Sequence, residues 1–111
     1  MDFKLWLESK MLTVYRGTGA LGLKELRPSE DGVYGPGIYF YDNLESAKAY
    51  AEPGGGVVVA RVDLDDPQIT ITKEKPVHVV GTQFLLRKER IIVVPDASKV
   101  RVVKTITESE I

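Results

Sequence analysis

Three short stretches of this chain carry residue types that chemistry uses. Val14-Tyr15-Arg16-Gly17-Thr18 places a fixed cation at the end of an alternating run and follows it at once with glycine. A guanidinium stays charged and offers five donors, while glycine lets a ligand approach the backbone closely. Tyr39 and Tyr50 stand eleven positions apart. A strand followed by a helix that folds back would turn their rings toward each other, and two facing rings make a slot for a flat heteroaromatic ring. A cationic ring would gain about 0.5–2 kcal/mol per aromatic face. Glu89 sits where the polar Arg87-Lys88 meets the apolar Ile91-Ile92-Val93-Val94. A carboxylate there can accept a hydrogen bond from a hydroxyl and stabilise positive charge developing on a reacting carbon. Taken singly, each stretch also fits a plain structural role: a strand-to-turn exit with a surface arginine, a pair of core rings, an exposed acid between basic neighbours.

These residues need elements to hold them. Leu12 to Arg16 alternates and contains Thr, Val and Tyr, which predicts a strand. Gly17, Gly19 and Gly22 break regular structure, and Leu23 to Asp31 is expected to hold a turn of helix before Pro28 and then a polar loop. Tyr34 to Gly37 reads as a turn, and Gly37 to Tyr41 as a short aromatic strand. Asp42 or Asn43 can cap a helix over Leu44 to Glu52, which Pro53 and three glycines end. Val57 to Leu64, Gln68 to Thr72, Ile91 to Val94 and Val100 to Ile106 read as strands, and Gln83 to Leu86 as a strand or a turn. A short helix is expected over residues 2–9, and His78 is expected in a loop. Strands outnumber helices, so the pattern predicts an α+β fold with a mostly antiparallel sheet.

The chain of 111 residues suits one domain. The formal net charge of −1 attracts neither nucleic acid nor an anionic membrane as a whole. No cysteine is present, which excludes disulfides, thiolate metal sites and a cysteine nucleophile. The opening MDFKLWLESKM is broken by Lys4, Glu8 and Lys10, so it reads as neither a signal peptide nor a membrane span.

In order and spacing the three stretches resemble the ADP-ribosyltransferase superfamily, in its diphtheria-toxin and poly(ADP-ribose) polymerase-like branch. Gly37-Ile38-Tyr39-Phe40 with Ser46-Ala47-Lys48-Ala49-Tyr50 is similar to that branch's most recognisable stretch, both tyrosines in register. Tyr15-Arg16-Gly17-Thr18 resembles its first motif, with Arg16 at the position of the family's histidine. Glu89-Arg90-Ile91-Ile92-Val93 resembles the strand that begins with the catalytic glutamate. Ala47 stands where the branch has a serine that bonds the amide, with Ser46 beside it.

The resemblance implies a split antiparallel β-sheet core with two short helices, and NAD as co-substrate. It implies that Gly17 binds the nicotinamide amide through its backbone, with Thr18 toward the adenosine. Tyr39 and Tyr50 would sandwich the ring, and Glu89 would hold the ribose and promote cleavage of the glycosidic bond. Arg16 would meet the pyrophosphate or a ribose hydroxyl, and Ser46 would lie beside the amide site. The expected activity is mono-ADP-ribosyl transfer to a macromolecule, a protein first and a nucleic acid second. The alternatives are hydrolysis of NAD by a toxin and a domain that binds NAD or a partner without turnover. Small size and family habit suggest a bacterial or phage effector acting in a cytoplasm.

Overall fold

A computed structural model describes residues 11–72, 75–78 and 86–110, the side chains of 75–78 and 86–89 excepted. The elements run β1 (Met11–Thr18), α1 (Ala20–Lys24), β2 (Ile38–Tyr41), α2 (Leu44–Lys48), β3 (Gly56–Asp63), β4 (Thr70–Ile71), β5 (Lys75–His78), β6 (Leu86–Glu89), β7 (Ile91–Val94) and β8 (Val100–Thr107). Six strands form one antiparallel sheet in the order β4-β7-β2-β1-β3-β8, and β5 pairs with β6 alone. The fold is therefore α+β, with two short helices on a six-stranded antiparallel sheet.

Alternation sorts the side chains onto two faces. Val14, Phe40, Val58, Ala60, Val62 and Ile92 form the main core on one face, with Leu23 and Leu26 packed against it. On the other face Ala47 of α2 meets Val57 and Val59, flanked by Tyr15, Tyr41, Leu44 and Ile106. Each fully buried Val or Ile contributes about 1.5–3 kcal/mol. Strand β3 is covered on both faces, which accounts for its unbroken Val57-Val58-Val59-Ala60 run.

The sheet departs from regular pairing in two places. Strands β1 and β3 pair along all of β1, from Met11↔Asp63 to Thr18↔Gly56, whereas β1 and β2 pair only at Tyr15↔Tyr41. The sheet thus opens between its two middle strands. Between β3 and β8 the register shifts: Val59 faces Lys104 and Ala60 faces Val102, leaving Val103 as the extra residue of a bulge.

Several expectations change. The first helix lies at Ala20–Lys24, with Gly19 as its N-cap and Gly22 inside it rather than breaking it, and α2 ends at Lys48. His78 ends strand β5 rather than lying in a loop, and Glu89 ends β6 opposite Lys75 rather than beginning β7. The polar, proline-containing sequence of β5 lacks the alternation that marks a strand packed on a core, so it reads as loop. The expected helix over residues 2–9 and most of the Gln83 to Leu86 segment fall outside the described residues.

Candidate functional site

Past Tyr15↔Tyr41 the strands part, and Arg16 spans the gap. Its Nη1 donates to the Tyr39 carbonyl at 2.9 Å, a side-chain bond standing where the ladder has none. Burial pushes the Arg16 pKa below its ordinary value, and the nearby Tyr41 partly opposes this. Arginine stays protonated all the same, and its fork has donors beyond the one that Tyr39 receives. A cleft of about 610 Å³ opens here. Arg16, Gly17 and Thr18 of β1 form one wall, the glycine-flanked start of α1 a second, and Tyr39, Tyr41, Tyr50 and Glu52 the remainder.

Helix α2 carries the outer ring into place. Asn43 caps it, its side chain accepting from the Glu45 N–H at 2.8 Å. After Lys48 the chain tightens: Tyr50 N–H donates to Ala47 O at 3.0 Å and Ala51 N–H to Lys48 O at 3.2 Å. That end rests directly on Gly17. A Cβ there would meet the Ala47 carbonyl oxygen at 1.9 Å and backbone atoms of Tyr50 and Ala51 at 2.8 Å. Glycine is thus required by packing, whatever its backbone does for a ligand.

The rings are arranged differently from the expected pair. Tyr39 and Tyr50 line the same cleft, but Tyr50 stacks on Tyr41, with centroids 5.3 Å apart and planes 11° from parallel. Tyr50 remains 58% exposed, so part of its ring is open to solvent. Tyr39 uses its hydroxyl to hold the preceding turn. It accepts from Tyr34 N–H at 2.8 Å and donates to Gly35 O at 2.6 Å. Gly35 takes φ +100°, a conformation that suits glycine.

Five of the residues singled out in the sequence therefore share one cleft: Arg16, Gly17, Thr18, Tyr39 and Tyr50. Ser46 is buried in α2 at 2% exposed and does not line it. The backbone of Glu89 closes β6, and its side chain lies outside the described residues. Of the aromatic and charged lining residues, two escape a reading of the sequence, Tyr41 and Glu52. Tyr41 shares a strand face with Tyr39 by period-two spacing, which is a usable signal. Glu52 gives none, because it follows the helix. Its carboxylate approaches Gly19 closely enough that a Cβ there would sit 2.6 Å from Oε2.

No protein-family model, curated protein or solved structure matches this chain. What the cleft can do must come from its own groups. It offers a fixed cation, three aromatic rings and one carboxylate among the described residues. That set suits a ligand with a flat ring at one end and anionic or hydroxyl groups at the other. Among the described residues no cluster of His, Asp and Glu could hold a metal ion, and no helix is long and apolar enough to cross a membrane.

Proposed function

We propose that this protein is an NAD-dependent mono-ADP-ribosyltransferase that cleaves the nicotinamide–ribose bond and passes ADP-ribose to a macromolecular acceptor. One observation carries the reading: residues 16–18, 39 and 50, far apart in sequence, line a single cleft where the sheet opens. These are the positions that the family resemblance assigns to NAD. The groups present fit the ligand. The exposed ring of Tyr50 suits the cationic nicotinamide. The remaining donors of Arg16 suit the pyrophosphate or a ribose hydroxyl.

In this reading the chain positions more than it reacts. NAD supplies the electrophilic ribose carbon and a neutral leaving group. Tyr50, backed by Tyr41, fixes the plane of the ring. Arg16 ties β1 to β2 and holds an anionic group in one orientation, and it cannot act as a base. Glu89 is assigned the ribose contact by the resemblance alone. Orientation of this kind can supply a large part of a rate enhancement.

The test is release of free nicotinamide from NAD by the purified protein in a cell lysate, beside Glu89→Gln. We expect release by the wild type and a loss of about a hundredfold or more in the variant, the scale seen when one charge-stabilising group is removed. Labelled NAD then separates transfer from hydrolysis, because hydrolysis leaves only free ADP-ribose. No release by a folded protein in several lysates would end the enzymatic reading.

A further inference from the structure

We infer that the sheet face beyond α2 binds single-stranded nucleic acid, with phosphates on Arg61, Arg101 and Lys104 and a base on Tyr50. This inference is independent of the NAD reading. Register assigns the residues to one face. Tyr41, Tyr15, Val59 and Lys104 stand directly across from one another on β2, β1, β3 and β8. In the adjacent row Thr13, Arg61 and Arg101 do the same. Arg101 and Lys104 share the face only because the bulge at Val103 restores their parity. With strands about 4.8 Å apart, the first row spans about 14 Å.

The two arginines are the anomaly. Like charges directly opposite in a sheet are destabilising. Charged residues on the edge strand β8 can be explained as guards against edge pairing. Arg61 cannot, because β3 is an interior strand whose other residues from Gly56 to Val62 are buried. No described carboxylate makes an ion pair with Arg61, Arg101 or Lys104. Asp63 and Glu110 each hold a hydrogen bond within their own segment. Asp63 accepts from Asp65 N–H at 2.8 Å, and Glu110, whose charge feels Lys104, accepts from the Thr107 hydroxyl at 2.7 Å. An anion lying across the face would relieve the repulsion.

The rings choose among anions. Tyr15 and Tyr41 connect the basic row to Tyr50, whose ring is more than half exposed. Cations along a backbone track beside an exposed ring are what single-stranded nucleic acid uses, with stacking contributing to every base type. An acidic protein would gain from the cations and not from the ring. Duplex keeps its bases stacked inside and would also miss it.

The test is fluorescence anisotropy of a short labelled oligo(dT) with the full chain, without NAD, across a salt titration. The wild type should bind, with affinity falling as salt rises. Arg101→Glu and Lys104→Glu, both at exposed positions, should each weaken binding about tenfold and lower the salt slope by about one. Tyr50→Ala should weaken it about tenfold with the slope unchanged. Circular dichroism matching the wild type keeps a folding defect from imitating these losses. Absence of binding at low salt would overturn the inference, as would binding unmoved by the charge reversals. Equal binding of polyglutamate would assign the face to an acidic protein, and equal binding of duplex would remove the role of the ring. Glu89→Gln should bind like the wild type, so failure of the NAD reading leaves this result untouched.

Discussion

Arg16 and Tyr41 show how single residues shape the cleft. Arg16 closes the ladder where backbone pairing stops, so one side chain both permits the opening and limits it. Tyr41 is anchored in the smaller core beside Tyr15 and Leu44, and the exposed Tyr50 lies flat on it. If NAD stacks on Tyr50, Tyr41 is the residue that keeps the ring in position. Tyr41→Ala should then raise the KM for NAD about threefold to tenfold, the equivalent of a lost aromatic pair, with kcat little changed. Nicotinamide release at varied NAD checks this, and an unchanged KM in the alanine variant would show that the stack does not position the ring. Spacing in the sequence makes Tyr39 and Tyr50 legible. The true ring pair is hidden, because the early stop of α2 redirects Tyr50 and no local pattern announces that stop.

At the scale of elements, the decisive contact is the end of α2 against β1. Gly17 allows it, and the atoms a Cβ would strike are backbone, which cannot swing aside. Gly17→Ala should therefore destabilise the protein by about 1–3 kcal/mol through overpacking. Urea unfolding should show a lower midpoint at unchanged slope. An unchanged midpoint would mean that α2 can retreat without loss. Most elements are legible in the sequence for plain reasons. Ile91–Val94 is bounded by Arg90 and Pro95, and the capping Asn43 marks the start of α2. The β5–β6 pair is not, since strands outside the main sheet need not show the alternation that a buried face imposes. The bulge at Val103 is equally hidden. In an unbulged strand Arg101 and Lys104 fall on opposite faces, so nothing in the sequence signals a shared basic face.

Among the described residues, full burial is reserved for apolar side chains and one hydroxyl. Ser46 is the only buried polar side chain among the described residues. Among these residues the response to pH comes from three hydrogen-bonded carboxylates. Lys99 donates to Asp66 at 2.7 Å, tying the loop before β4 to the start of β8. This bond, with the Gln68 N–H, holds the Asp66 carboxyl below its ordinary pKa. Asp96 is lowered by its bonds from Ser98, and Glu110 by those from Thr107. A carboxylate with a lowered folded pKa stabilises the fold fully above its unfolded value, and that stability is lost as pH falls through the folded value. Tm should thus stay level from neutral pH down to the ordinary carboxylate range, about pH 4, and decline below it. Asp96 and Glu110 are exposed and Asp66 is half-buried, so the decline should be shallow, and the part owed to Asp96 and Glu110 should flatten in high salt. Asp66→Asn should lower Tm at neutral pH and make the acid-side decline shallower, because its clamp is already gone. A Tm that instead fell between about pH 7 and pH 5 would point to a group titrating there, which no carboxylate with a lowered pKa can supply.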